Sequence, residues 1–233
     1  MTGNAGLQDV ALKLFRGLAE SYDRTVDIAT LFQDRRWKAW VARNVSARNG
    51  GLILDVGCGT LLLEERSPSS EWRFVGLDVT EEMARVGWAK SLANVVLVVN
   101  GDGESLPFPD STFDSAISCY VPKYVTLGRL AAELARVVKP GGAVVLYDFA
   151  KPRGIAAPFL EAYIQVGLRI VGLVLRRAGS RSAYAFERLP GIIDATSWDR
   201  EVVGAMEARG FMTSAATPLT GGVVFAYCGR KKF

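Results

Sequence analysis

Leu52-Ile53-Leu54-Asp55-Val56-Gly57-Cys58-Gly59-Thr60 runs from an aliphatic stretch straight into a glycine turn. The near-continuous apolar run suits a strand buried on both faces of a sheet. Gly57 and Gly59 allow backbone angles closed to other residues and let a ligand come close to the main chain. In an open α/β sheet the carboxyl end of such a strand is where a ligand binds. An ordinary strand–helix connection has the same Gly-x-Gly turn, so the turn alone does not decide between them.

Further along the chain, Phe74–Leu77, Val95–Val99, Ala116–Cys119 and Ala143–Leu146 read as additional buried parallel strands. Helical patterns lie between them, most clearly from Leu127 to Val138. This alternation predicts an α/β domain with a mostly parallel sheet covered on both faces. Ahead of it, Leu7, Val10, Ala11, Leu14, Phe15 and Leu18 recur at helical spacing, and Trp37, Trp40, Val41 and Val45 mark a second helix. Behind it, Thr196 or Ser197 caps a helix that runs through Arg209 and stops at Gly210. The pattern closes with Phe211–Thr217 and Val223–Cys228 around Pro218-Leu219-Thr220-Gly221-Gly222, a hairpin-like pair of strands.

The chain has 233 residues, 49 % hydrophobic and 22 % charged, which fits one sizeable packed domain. Its net charge of +4 does not by itself call for nucleic acid, and no nucleic-acid partner is expected. Cys58, Cys119 and Cys228 lie far apart, which excludes a disulfide framework and a CxxC metal site and suits a reducing, cytoplasmic setting. No metal site is expected. There is no histidine, so mechanisms that need an imidazole are excluded. Met1 to Gly6 carry no positive cluster, and Asp9, Lys13 and Arg16 break up the apolar pattern beyond them, so no secretory signal is expected. The longest uncharged stretch, Gly210 to Gly229, contains Pro218 and Gly221-Gly222 and reads as a turn between strands, not a membrane span.

Three carboxylates fall where a nucleoside would need them. Asp78 ends the second strand, where it can accept from both hydroxyls of a ribose. Asp102 follows the third strand in Asn100-Gly101-Asp102-Gly103-Glu104, placed to accept from an exocyclic amine such as that of adenine. Asp55 precedes the glycines and suits a ligand with an amino group. Asp114 opens the fourth strand, and Lys139-Pro140-Gly141-Gly142 forms the turn into the fifth. Each alone is an ordinary turn or cap residue. A dinucleotide site would want a third glycine where Leu62 stands, so that reading is disfavoured.

With these residues in place, the chain resembles a class I S-adenosylmethionine-dependent methyltransferase, closest to the ubiquinone/menaquinone biosynthesis C-methyltransferases. The resemblance spans nearly the whole chain. It includes Tyr22-Asp23, Arg36-Trp37-Lys38, the run from Gly103 to Asp114, Arg136-Val137-Val138-Lys139-Pro140-Gly141-Gly142, Phe149-Ala150-Lys151-Pro152 and Leu219-Thr220-Gly221-Gly222-Val223-Val224. It implies a Rossmann-like, seven-stranded, mostly parallel sheet with an antiparallel C-terminal strand, and S-adenosyl-L-methionine as cofactor. The domain expectation is N-terminal helices over the site (1–48), a cofactor-binding core (49–150), a hydrophobic basic insert acting as substrate lid (151–195), and a last helix and hairpin (196–233). By the resemblance, Asp55, Gly57, Gly59 and Thr60 would face the methionine end. Asp78 would hold the ribose and Asp102 and Gly103 the adenine, Cys119 would line the site where the family has a serine, and Val79 and Tyr120 are further cofactor-binding candidates. The chain departs from the pattern at Leu61, where the family has a glycine, and at Lys123-Tyr124, where it has Arg-Asn. The helix after the glycine turn is cut short by Ser67-Pro68-Ser69-Ser70.

The implied reaction is C-methylation of a demethylated prenyl quinol. Alternatives are methyl transfer to another small lipophilic acceptor and a non-catalytic interaction protein on the same fold. A hydroquinol carbon becomes nucleophilic when its hydroxyl loses its proton or nearly so. With no histidine, the candidate catalytic residues are Lys123, Tyr124 and Asp148. Lys123 is preferred as a fixed positive charge that stabilises a phenolate. Cys119 has no evident activating base and suits a small apolar filler better than a nucleophile.

Residues 151–188 carry seven basic residues against Glu161 and Glu187, a local charge of +5 that leaves −1 for the rest. Glu161, Gln165, Arg169 and Arg176 fall on one helical stripe, and nearly everything else from Ile155 to Leu175 is apolar. Such a helix is expected to bury most of its surface. Three readings compete: a core or homodimer-interface helix, a lid over a slot for an isoprenoid tail, and a peripheral contact with anionic lipid at the inner face of the membrane.

Overall fold

A computed structural model describes residues 11–15, 17–45, 51–67, 71–155, 157–177, 179 and 183–233. Seven strands form one sheet: β1 (Leu52–Val56), β2 (Arg73–Asp78), β3 (Val95–Asn100), β4 (Phe113–Cys119), β5 (Val138–Phe149), β6 (Phe211–Leu219) and β7 (Val224–Lys231). Their order is β3-β2-β1-β4-β5-β7-β6. β1 to β5 pair in parallel, and β7 runs antiparallel between β5 and β6. From β1 the chain winds outward to β2 and β3, then returns to start β4 on the other side. The carboxyl ends of β1 and β4 therefore border the switch point, where such sheets leave a crevice.

Alternation along the strands sends side chains to two cores. Ile53, Phe74, Ile117, Val145 and Tyr147 pack with Trp37 and Val41 of α2 (Asp34–Asn44). Leu54, Val75, Ala116, Val144 and Leu146 pack with Leu130 and Leu134 of α5 (Leu127–Val137) and with Trp198 and Val202 of α8 (Trp198–Glu207). The remaining helices are α1 (Tyr22–Ala29), α3 (Leu62–Glu65), α4 (Glu81–Ala89), α6 (Ala157–Arg177, with a π-helical turn over Tyr163–Gly167) and α7 (Ala183–Ala195). Residues 11–15 are helical; Leu7 and Val10 of the opening amphipathic pattern lie outside the described residues, as do Pro68, Ser69 and Ser70. α3 is a single turn, as its sequence context predicts.

Three expectations need correction. β3 is not a buried strand: it is the sheet's edge, and Val96 and Leu97 are exposed. An apolar run looks the same at an edge and in a centre, because the sequence does not say how many neighbours a strand has. Lys139-Pro140-Gly141-Gly142 is not a turn before β5 but lies inside it as a bulge. β4 advances from Phe113 to Ser115 while β5 advances from Val138 to Ala143, and Gly141 takes φ +77°. Finally, α6 does not bury most of its surface. Ile164, Leu168 and Gly172 face α7 and the core, while Phe159 (81 % exposed), Val166, Ile170 and Val174 face outward. Hydrophobicity reports that a surface is costly to hydrate, not which neighbour covers it.

Several family-like motifs are structural staples. Asp114 accepts from the Leu52 N–H (2.9 Å) and from Lys139 Nζ (2.9 Å), tying β1, β4 and β5. Arg136 donates to the Leu106 and Phe108 carbonyls (2.8 and 2.6 Å), which holds the segment before β4 on α5. Trp37 Nε1 donates to Thr220 Oγ1 (2.9 Å), joining α2 to the β6–β7 turn.

Candidate active site

Above the carboxyl ends of β1, β2 and β4 lies a crevice lined by Gly57, Gly59, Asp78, Val79, Asp102, Gly103, Cys119 and Tyr120, with Phe15 and Tyr22 over it. It encloses about 640 Å³, open mouth included. Gly57 (φ +78°) and Gly59 (φ +54°) are left-handed, and a Cβ on Gly57 would collide with Val121 Cγ2. A Cβ on Gly103 would lie 2.6 Å from Val56 Cγ1. Side chains at these positions are thus refused by the fold itself, which leaves bare main chain along the crevice floor.

Asp78 Oδ2 accepts from the Gly59 N–H and Oδ1 from the Thr80 N–H, both at 2.8 Å. These bonds, with the Thr80 hydroxyl beside them, fix the carboxylate against the glycine turn. Burial raises its pKa, and the two backbone donors oppose that. Asp102, two residues beyond the Asn100 that pairs with Asp78, accepts at Oδ1 from the Glu104 N–H (2.8 Å). Burial pushes the Cys119 thiol well up, so it stays protonated and unreactive. A glycine floor with a carboxylate at each of two points along it fits a nucleoside bearing hydroxyls and an amine, and so fits S-adenosylmethionine.

A second, apolar cavity of about 570 Å³, its opening included, is lined by Leu14, Leu18, Val26, Phe149, Phe186 and Leu189. It shares Phe15, Tyr22, Tyr120 and Tyr124 with the crevice, so four aromatic side chains form the boundary between the two. Lys123 reaches this cavity. Its Nζ donates to Asp148 Oδ1 (2.6 Å) and to the Tyr120 carbonyl (3.0 Å), and it lies 4.2 Å from the Tyr124 ring centroid. Burial lowers the Lys123 pKa while the Asp148 charge holds it up; burial raises Asp148 while Lys123 opposes it. An ammonium paired at 2.6 Å with a carboxylate that also accepts from the Lys123 and Phe149 N–H groups is retained as a cation.

Of the sequence-predicted residues, Gly57, Gly59, Asp78, Val79, Asp102, Gly103, Cys119, Tyr120 and Tyr124 line the crevice, and Lys123 lines the cavity. Asp55, Thr60 and Asp148 line neither. Thr60 is buried and donates to Asp23 of α1, which Lys90 also holds (2.7 Å), so the glycine turn is laced to the N-terminal helices. Asp148 sits behind Lys123 and meets the cavity only through it. Asp55 is buried inside β1 beside Glu64 of α3, and the two carboxyl groups meet each other in a hydrogen bond. Burial pushes Asp55 up to about 7, and burial together with the Asp55 charge raises Glu64 well above the carboxylate range. Leu61 holds φ +59° with its side chain buried against Gly76 and Gly87, so it does not fill the crevice. Sequence reasoning missed Glu64 and Asp34, because single acids in helical patterns look like solvated surface. It also missed Phe15 and Tyr22 as walls, although their helical spacing marked that face as apolar.

Comparison with known proteins accords with this geometry. The description "ubiE/COQ5 methyltransferase family" matches residues 4–231. A demethylmenaquinone methyltransferase of Streptomyces avermitilis is 34 % identical over 220 residues, covering 94 % of this chain and 93 % of that protein. A demethylmenaquinone methyltransferase of Staphylococcus aureus is 28 % identical, with 100 % and 97 % covered. Among solved structures, a methyltransferase of Aquifex aeolicus described as SAM-dependent superposes with TM-score 0.57 at 19 % identity, covering 83 % of this chain and 88 % of that one. A geranyl diphosphate methyltransferase in complex with SAM gives 0.56 at 15 %, covering 84 % and 85 %. At such identities these structures show the fold alone.

Proposed function

The chain belongs to the ubiE/COQ5 methyltransferase family, and on that basis we propose that it methylates a ring carbon of a demethylated prenyl quinol, demethylmenaquinol first. It is a methyltransferase, and its donor is S-adenosyl-L-methionine. The observation that carries the acceptor reading is the apolar cavity meeting the nucleoside crevice across four aromatic walls, with a buried ammonium beside them.

In this reading Asp78 accepts the ribose hydroxyls, Asp102 the adenine amine, and the backbone at Gly57 and Gly59 admits the amino-acid end. When bound, S-adenosylmethionine supplies an electrophilic methyl group. The quinol hydroxyl would give up its proton to solvent before the boundary closes, and Lys123 stabilises the negative charge left on that oxygen, which raises electron density at the neighbouring ring carbon. The methyl–sulfur bond would break as the carbon–carbon bond forms, and the ring carbon's hydrogen would leave as a proton when the aromatic ring is restored. At about 4 Å such a pair is worth on the order of 4 kcal/mol in a medium of intermediate polarity, against about 1 kcal/mol in bulk water. Phe15, Tyr22, Tyr120 and Tyr124 keep water from the boundary, which preserves that difference. Asp148 keeps Lys123 charged and aimed. Tyr124 is not a base: burial and the Asp148 charge push its hydroxyl far up.

The isoprenoid tail is assigned to the apolar cavity beside α7, which contributes Phe186 and Leu189. The membrane contact is assigned to α6, packed on α7, and to Ile155 just before it: Ile155, Phe159, Val166 and Ile170 face outward, with Arg169, Arg176 and Arg177 along α6. Tyr163 donates to the Ala29 carbonyl (2.8 Å), which places this face beside the exposed Leu31-Phe32 loop. α6 is also long and apolar enough to cross a membrane by composition; its arginines and outward apolar face favour lying on the surface.

The test is methyl-labelled donor with demethylmenaquinol and, in parallel, a lipophilic phenol without a quinol ring. Label in the quinone fraction supports the proposal. Label only in the other phenol favours the second reading, which rests on Lys123-Tyr124 departing from the Arg-Asn that the family resemblance implies there. For the membrane contact, Phe159→Asp is expected to lower co-flotation with anionic vesicles while turnover of detergent-dispersed acceptor persists. Unchanged flotation assigns the apolar face elsewhere.

A further inference from the structure

Asp34 of α2 is fully buried and lines neither the crevice nor the cavity, yet it gathers a dense set of polar partners. Its Oδ1 accepts from Lys38 Nζ (2.6 Å), the Tyr120 hydroxyl (2.7 Å) and the Tyr147 hydroxyl (3.1 Å); its Oδ2 accepts from Lys38 and from Arg66 (3.1 Å). Two cations compensate its charge, so it is a stable anchor rather than a base.

Tyr120 is the link from that anchor to the reacting region. It follows β4 with φ +62°, a left-handed conformation that strains a non-glycine residue and persists only when neighbours impose it. Phe149, Tyr147 and Lys123 are those neighbours. The Tyr120 ring stacks on Phe149 (centroids 5.2 Å apart, planes 28°) and meets Tyr147 edge-on at 5.0 Å. Its N–H donates to the Tyr147 carbonyl (2.9 Å), and its own carbonyl accepts from Lys123 Nζ (3.0 Å). This strained residue is wall to both compartments, and its main chain holds the ammonium.

We propose that Asp34 is a positioning residue: by tying the Tyr120 hydroxyl it fixes the shared wall, and through the Tyr120 carbonyl it fixes Lys123, so that the quinol ring carbon rather than its oxygen faces the donor methyl. This rests on the quinol reading above. A phenolate can accept a methyl group at oxygen or at ring carbon, and orientation decides between them. The Tyr120 hydroxyl itself takes no proton in the reaction, since burial and the Asp34 charge keep it protonated.

The test compares Asp34→Asn, Tyr120→Phe and the double variant with the parent on demethylmenaquinol. Tyr120→Phe keeps the ring and leaves Asp34 paired with Lys38 and Arg66, so it carries the test if Asp34→Asn does not fold. Expected are a fall in kcat of about tenfold in each single variant, with the donor KM within about twofold. The double variant is expected to be no worse than Tyr120→Phe, and O-methylated product to appear beside the C-methylated one. Parental kcat and product ratio in both variants, or additive losses in the double variant, overturn the proposal. A parent that does not turn over demethylmenaquinol overturns the underlying reading as well, and the parent's own rate in the same assay tells these failures apart.

Discussion

The donor side and the acceptor side of the site are built by different means. On the donor side, strands with fully buried aliphatic residues end in glycine turns, and the carboxylate of Asp78 is fixed by two backbone donors at 2.8 Å. Recognition there comes from main chain that the sheet cannot move. On the acceptor side, helical segments supply Leu14, Phe15, Val26, Phe186 and Leu189, with Lys123, paired to Asp148 behind it, as the charged group in the lining. Apolar contact is non-directional, so orientation must be imposed by the few charges and rings that are themselves anchored. The donor side thus specifies by geometry, and the acceptor side by a greasy enclosure with one fixed charge.

Variants probe this division. The largest effect is expected from Lys123→Met combined with Asp148→Asn, which leaves no lone buried charge. Turnover should fall about 10²–10³-fold while donor affinity by calorimetry stays at the parental value. A matching loss of donor affinity would show that the two sides are not separate. Next, Asp78→Ala should weaken donor binding by about 1.5–3 kcal/mol, with the acceptor KM unmoved at saturating donor. Leu61→Gly comes third. It relieves a left-handed leucine, worth about 1–2 kcal/mol, but removes a side chain whose burial is worth more, about 2–5 kcal/mol with its cavity. Net destabilisation of about 2 kcal/mol in urea, with donor affinity unchanged, is the expected result; tighter donor binding would mean that Leu61 obstructs the crevice.

The smallest effect concerns Asp55. Its folded pKa is raised to about 7, above the roughly 3.9 of an unfolded chain. An acid raised in this way contributes its stability fully below about pH 4 and loses it as pH rises through 7. Stability from denaturant titrations should therefore fall as pH rises between about 4 and 7, and Asp55→Asn should flatten that slope. A parental slope in the variant would assign the pH dependence to other groups.

Most of the sheet was legible because its signals are local. Leu52–Val56, the turn at Gly57 and Gly59, and Asp78 at a strand end each carry their meaning within a few residues, and the parallel pairing of β1 to β5 follows from the alternation. The Val95–Asn100 strand misled because edge and centre share one apolar pattern. Ala157–Arg177 misled because hydrophobicity does not report burial, and the described residues leave that face open. The acceptor side was largely illegible: Asp34 meets Tyr120 across 86 positions, and no spacing rule foresees that contact. Leu61 was readable as a departure, yet only its φ of +59° and its contacts with Gly76 and Gly87 show that it turns away from the crevice.

A crystal structure with S-adenosylhomocysteine and demethylmenaquinol bound would put the meeting of the two sides to the sharpest trial. The nucleoside is expected between Asp78 and Asp102, and the quinol ring against Tyr120 with one oxygen within hydrogen-bond reach of Lys123 Nζ. A ring bound elsewhere, or an oxygen held by groups other than Lys123 while the nucleoside occupies its crevice, would contradict this arrangement.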